Sequence, residues 1–287
     1  MKVHIGGVPE HFNYPWKFAE EIGMFNGLPF DIVWKDEPAG TGALSNQLDQ
    51  GDLQMAVVLT EGIIRHIALG SKSKLLGSFV SSPLIWGIHV PVDSDIQSIH
   101  QMKGRRYAIS RKGSGSHLMA CVEAESRNEQ ISEEQWVITG GVEGAIQSFK
   151  EGSSDIFFWE KFMTKPYVAQ GLLRRIGECI TPWPCFALAI NESFEKKHPD
   201  MAEMIVSKMN AACRMFMYLP DAPQIIAKKF NLSEEDARAW FFSTEWHCDQ
   251  IFSRKTIENA LHHLKASGLL EHTLEAREMV SSLTLLN

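Results

Sequence analysis

The run Met55-Ala56-Val57-Val58-Leu59 contains no polar side chain. A strand with one face in water alternates apolar and polar residues. One that is apolar throughout is buried on both faces, as in parallel sheets covered by helices. The flanking segments fit that class. Val3-His4-Ile5 reads as a strand, and a short helix begins near Pro15, a favoured residue in a first helical turn. Phe30 to Trp34 is a second strand. The loop Pro38 to Gly42 precedes a helix from about Ala43 to Gln50, and Thr60-Glu61 opens another helix. Leu75 to Val80 closes this half. Strands alternating with helices in this way predict a parallel α/β sheet.

After a long apolar, β-rich segment, Leu84 to Pro91, the pattern restarts. Tyr107-Ala108-Ile109, Gln135 to Ile138 and Asp155 to Trp159 read as strands, with helices near 116–125, 142–150 and 161–170. Thr181-Pro182-Trp183-Pro184 interrupts, Cys185 to Ile190 reads as a strand, and the chain beyond Asn191 is almost entirely helical. The two halves also echo each other. Helix, Gly51-Asp52-Leu53-Gln54 and strand in the first half match helix, Gly152-Ser153-Ser154-Asp155 and strand in the second. In both, a glycine ends a helix and a buried strand follows.

A length of 287 residues suits one large domain or two lobes. The formal net charge of -7, with no lysine/arginine block, argues against nucleic acid and anionic membranes as partners. No apolar run reaches the roughly 18 residues of a membrane span. Met1 to Gly7 enters a strand with no charged segment and apolar stretch before it. The expected location is therefore cytoplasmic, or periplasmic if an export segment has been trimmed. The five cysteines (Cys121, Cys179, Cys185, Cys213, Cys248) are scattered and odd in number, which fits a reducing compartment.

In α/β sheets, ligands sit beyond the carboxyl ends of the strands. That rule selects one loop per strand. In the first half these hold His11, Asn13 and Tyr14; Gly40 and Thr41; Thr60 and Glu61; and Ser81 and Ser82. In the second half they hold Ser114, Gly115, Ser116 and His117; Gly141; and Trp159 with Glu160. Around Arg111 to His117 the chain reads strand, flexible loop, helix. Ser114 or Ser116 can cap that helix, and its free N–H groups and dipole favour a small anion beside Lys112. Trp159-Glu160 can stack on a flat ligand and bind an amine. Each has a plain structural reading as well: turn and cap residues for Asn13, Ser82 and Glu143, a core tryptophan beside a solvated glutamate, and histidines as polar filler.

Other chemistry finds little support. Gly40-Thr41-Gly42-Ala43-Leu44-Ser45 partly echoes a dinucleotide fingerprint, but serine replaces the third glycine and the preceding strand ends too early. No Gly-Lys-Ser/Thr phosphate loop, His-Glu-x-x-His or Gly-x-Ser-x-Gly is present. Cys179 and Cys185 are too isolated for a zinc pair, and Trp246-His247-Cys248-Asp249 reads as packing. The expectation is no catalytic residue, no metal and no cofactor.

Several stretches together resemble type II periplasmic solute-binding proteins, in the branch related to nitrate, sulfonate, taurine and thiamine-pyrimidine-precursor binding. They are Phe18-Ala19-Glu20-Glu21-Ile22-Gly23-Met24-Phe25, Gly40-Thr41-Gly42-Ala43-Leu44, Gln50-Gly51-Asp52-Leu53, and Ser98 to Ile109, which is similar to the start of that branch's second lobe. The resemblance implies a two-lobed clamshell: two α/β lobes joined by two crossing strands, near Ile88-Val90 and Phe186-Leu188. Lobe I would comprise 1–88 and 188–287 with the C-terminal helices, and lobe II 89–187. It further implies capture of a small anionic or zwitterionic organic molecule in the interlobe cleft, without catalysis. The implied partner is the membrane component of an ABC transporter, and the protein itself would be a monomer. The chain departs from the branch in lacking an export leader and in carrying Gln54 where an aspartate is common. The alternative is an enzyme of thiamine-pyrimidine type on the same fold, although the tight cysteine cluster of that group is missing.

Overall fold

A computed structural model describes all 287 residues. They form two compact units. Unit 1 comprises Met1–Pro83, Trp183–Lys265 and Leu270–Asn287, and unit 2 comprises Leu84–Pro182 with Ala266–Leu269.

Unit 1 opens with β1 (Lys2–Gly7), α1 (Tyr14–Glu21), β2 (Asp31–Asp36), α2 (Thr41–Gln50), β3 (Met55–Leu59) and α3 (Thr60–Ala68). β1 pairs in parallel with β2, from Lys2↔Asp31 to Gly7↔Asp36, and with β3 at Ile5↔Met55 and Gly6↔Ala56. Met55 to Val58 are buried, as their composition requires. Gly51 ends α2 in the left-handed region (φ 81°), where glycine has no steric penalty. β4 (Ser73–Val90) then carries the chain into unit 2.

Unit 2 repeats the plan with β5 (Tyr107–Ile109), α4 (Gly115–Ser126), β6 (Trp136–Ile138), α5 (Val142–Lys150), β7 (Ile156–Glu160) and α6 (Lys165–Ala169). β5 is the inner strand, parallel to β6 at Tyr107↔Trp136 and to β7 at Tyr107↔Ile156. β7 runs antiparallel to β4, with Trp86 opposite Glu160. β8 (Arg174–Asn191) returns the chain to unit 1 and pairs antiparallel with β3, from Leu59↔Phe186 to Met55↔Ile190.

The two inner strand pairs share one fastening. In unit 1, Gln54 donates its backbone N–H to His4 O at 2.9 Å, and its Oε1 accepts the His4 N–H at 2.7 Å. In unit 2, Asp155 donates its N–H to Arg106 O at 2.9 Å, and its Oδ2 accepts the Arg106 N–H at 2.9 Å. The amide oxygen of Gln54 thus does the work of the carboxylate at Asp155. The spare Gln54 Nε2 donates to Gly51 O, whereas Asp155 gains the Arg106 guanidinium.

Two expectations need correction. Leu75–Val80, expected to close the first half, and the segment from Leu84, expected to follow it, both belong to the single 18-residue β4, which ends at Val90. Nor does Thr181-Pro182-Trp183-Pro184 break the chain, since it lies inside the equally long β8. β3 ends at Leu59 opposite Phe186, so Pro182 and Pro184 lie beyond the β3 ladder, where a missing N–H costs no bond to that strand.

The remaining elements are α7 (Glu192–Lys197), α8 (Pro199–Met217), α9 (Ala222–Phe230), α10 (Glu234–Ser243), β9 (Ile251–Phe252), α11 (Arg254–Ala266), α12 (Ala276–Met279) and β10 (Leu285–Leu286). The helical tail therefore also holds a two-stranded parallel pair, β9 with β10. An aromatic cluster joins the tail to the start of the chain. Phe216 packs on Tyr14 and Phe18, and Trp246 Nε1 donates to Phe12 O at 2.8 Å. Trp246 and Cys248 are buried there as packing residues. The tail approaches β4 so closely that a Cβ on Gly77 would lie 1.7 Å from Asp249 O.

The fastening leads to a stability prediction. Gln54→Ala and Asp155→Ala each strand a backbone N–H, so each should cost about 1–3 kcal/mol in urea unfolding. Asp155→Asn keeps the acceptor and should cost less than Asp155→Ala. An Asp155→Asn loss as large as that of Asp155→Ala would show that the Arg106 ion pair, not the backbone bond, carries the effect.

Candidate functional site

In unit 1 the carboxyl end of β3 is the meeting point. Gly40, at φ +80°, leads into α2, and Thr41 Oγ1 accepts the Leu59 N–H at 3.1 Å. This bond pins the start of α2 to the end of β3. The Thr41 methyl fits against Gly62, where a Cβ would come within 2.6 Å of it. Thr60 and Glu61 follow at once, 0% and 3% exposed. Trp183 Nε1 donates to Glu61 Oε2 at 2.8 Å. Glu61 Oε1 and Thr60 Oγ1 are buried with no partner. Burial pushes the Glu61 carboxyl up to about 7, against the lowering influence of its backbone and Trp183 hydrogen bonds.

The other candidates of unit 1 have partners of their own. Asn13 Nδ2 donates to Val8 O at 2.8 Å, while its buried Oδ1 has no partner. His11 stacks on Trp240 at 4.2 Å, and burial lowers its pKa to about 3, so the ring is neutral. The Tyr14 hydroxyl donates to Glu21 at 3.1 Å. Ser81 N–H and Oγ both donate to Glu245 O, and Ser82 Oγ accepts the Glu245 N–H, fastening the chain after α10 to β4.

In unit 2 the loop before α4 is closely bonded. Ser114 is the cap, its Oγ accepting the His117 N–H at 3.4 Å. Ser116 Oγ accepts the Ser110 N–H at 3.0 Å and lies 3.0 Å from Ser114 Oγ. Gly115 begins the helix between them. His117 Nδ1 accepts the Gly113 N–H at 3.0 Å, which places the proton of the neutral ring on Nε2. Its ring meets Trp136 edge-on at 4.3 Å. Lys112 turns to Glu133 and the Trp136 face.

Gly141 caps α5, with open space where a Cβ would stand. Trp159 is half-buried and stacks on Phe157 at 5.3 Å. Glu160 is buried, with Oε2 accepting the Met163 N–H at 2.6 Å. Two tryptophans escaped the sequence reading. Trp183 holds Glu61, and its signal was the pair of flanking prolines that fix an extended backbone. Trp86, opposite Glu160, has a buried indole N–H with no partner. Its place in an apolar run gave no signal.

A cavity of about 1100 Å³ also opens in unit 2, lined by Tyr107, His117, Cys121, Trp136 and Ser267 among others. Its lining runs from Lys103 and Gly104, ahead of β5, to Lys112 and His117, which follow it. It takes in His117 but neither Ser114 nor Ser116.

The raised Glu61 carboxyl makes stability depend on pH. Below its ordinary value of 4.5 the group is protonated folded and unfolded alike. Between there and about 7 the folded state holds the extra proton, so stability falls as pH rises. Glu10, also pushed up to about 7, acts in the same sense. His11 and His89, lowered by burial to about 3 and about 4, act in the opposite sense below 6.5. Comparing Glu61→Gln with the native chain isolates one group. The variant should lose less stability between pH 5 and pH 7.5, by an amount on the order of 2–3 kcal/mol, read by urea unfolding. Superimposable profiles would mean that Glu61 titrates as an ordinary surface carboxylate.

Comparison with known proteins adds the following. Residues 86–179 match the model of the Ca3427-like periplasmic-binding-protein family. Among curated protein sequences none matches. Of solved structures, the Candida albicans CA3427 gene product superposes with a TM-score of 0.89 at 25% identity, over 99% of this chain and 97% of that one. It is described as defining a new family with the generic periplasmic binding protein fold. The alkanesulfonate-binding protein SsuA of Xanthomonas axonopodis pv. citri, bound to MOPS, gives 0.80 at 14% identity over 98% of each chain. The periplasmic aliphatic sulphonate binding protein SsuA of Escherichia coli gives 0.76 at 15% identity, over 100% of this chain and 94% of that one. No helix of this chain is long and apolar enough to cross a membrane. The chain has the periplasmic-binding-protein fold, and sulfonate-binding proteins of ABC systems share it.

Proposed function

We propose that this chain is a solute-binding protein for a small anionic or zwitterionic organic molecule, which it holds without transforming. The observation that carries the reading is the start of α2. It is pinned by Thr41 to the end of β3, next to a Thr60 hydroxyl that is wholly buried and has no partner. Helix N-termini favour anions through their free N–H groups and dipole. Unit 2 repeats the arrangement at α4, where Ser114 and Ser116 stand at the helix start. The sulfonate-binding proteins that share the fold give the class of anion a precedent.

Binding is preferred to turnover for a chemical reason. Burial pushes the thiols of Cys121 and Cys179 up to about 11 and about 12, and raises Cys213 and Cys248 as well. A protonated thiol is a poor nucleophile. The enzyme of thiamine-pyrimidine type gains no observation in its favour. The partner we propose is the membrane component of an ABC transporter.

Calorimetry with taurine, MOPS, sulfate and nitrate tests the reading. An organic sulfonate should bind stoichiometrically, more tightly than the inorganic anions, and be recovered unaltered. Thr60→Val keeps the shape and removes the hydroxyl. It should weaken binding by roughly three- to tenfold, the usual net worth of one neutral hydrogen bond. Unchanged affinity in Thr60→Val, or a ligand returned as product, would refute it.

A further inference from the structure

The Glu61 carboxylate presents a puzzle that the helix start beside it does not solve. Its Oε2 is fixed by the indole N–H of Trp183 at 2.8 Å. Its Oε1 is buried and accepts nothing. Glu61 stands in the first turn of α3, where the helix dipole favours a negative charge. The indole donor and the helix start therefore both favour the carboxylate, while burial favours the neutral acid and outweighs them in the protein alone. A lone water would satisfy the hydrogen bond but leave a net charge without compensation, which is costly in buried surroundings. A fixed positive donor satisfies both.

Resting on the solute-binding reading, we infer that Glu61 Oε1 is the seat of a positively charged nitrogen of the ligand, which is therefore zwitterionic, with an ammonium-type group opposite its anionic end. Trp183 is the positioning residue: it fixes the carboxylate rotamer so that Oε1 remains free. Glu160 offers less for this role, because the Met163 N–H already occupies its Oε2.

Two matched probe pairs test this, each with one anionic head and one tether. Taurine is compared with isethionate, and phosphoethanolamine with glycol phosphate. Members of a pair differ only in ammonium against hydroxyl. Calorimetry on the full chain should show at least one ammonium member binding tenfold or more tightly than its hydroxyl twin. In Glu61→Gln that preference should disappear, so that the two members of the pair bind alike. Should that variant fail to fold, Trp183→Phe leaves the carboxylate but removes its fixing donor, and should reduce the preference at least threefold. Equal binding within both pairs, or a preference that survives Glu61→Gln, overturns the inference while leaving the solute-binding reading intact. Absence of binding by all four probes overturns the inference as well. Binding of MOPS more tightly than sulfate or nitrate would then still support the broader reading.

Discussion

The two-way bond between an inner strand and the residue that starts its neighbour governs both units. Parallel strands are slanted ladders with little to stop a slip, and a one-residue slip turns every side chain to the other face. At His4 with Gln54, and at Arg106 with Asp155, a backbone N–H and a side-chain oxygen close the same ring from opposite sides. The fastenings lie at the amino ends of β3 and β7. The candidate binding groups lie at the other end, about 16 Å away along a five-residue strand at roughly 3.3 Å per residue. Register set at one end therefore fixes which side chains reach the other. A glutamine and an aspartate serve equally because the backbone asks only for an acceptor.

Much of this architecture was legible in the sequence. The all-apolar Met55 to Leu59 announced a strand buried on both faces, and glycines at 51 and 152 marked helix ends. A helix cap at Ser114 or Ser116 was readable, and Ser114 fills it. Local signals of this kind are carried by neighbouring residues, which is why they can be read without a structure. The lengths of β4 and β8 were not legible, because Pro83, Pro182 and Pro184 look like breaks by residue type, yet each lies inside an 18-residue strand.

The partners of the polar candidates were hidden for a related reason. Glu61 meets Trp183 across 122 residues, and Ser82 meets Glu245 across 163. Nothing near Glu61 in sequence distinguishes a carboxylate held by an indole from one in water. The same holds for Tyr14, a loop residue by position whose ring packs against Phe216 of a distant helix. Composition identifies a loop as polar, but only the fold determines whether a polar atom is already engaged.

The division of the chain into units has a consequence for synthesis. Unit 2 is nearly one continuous stretch, while unit 1 is assembled from three. A chain emerging from the ribosome completes β1 to β3 early, yet the free edge of β3 waits for Phe186 to Ile190 before it is covered. During that interval an apolar strand edge stands open, the kind of edge that recruits other chains. Unit 2 can mature meanwhile as an insertion within an unfinished host. The last segment, around Asp249, then closes over Gly77 with no room for a side chain. The newborn protein therefore waits on β8, the returning strand, to retire a hazard created by its first sixty residues.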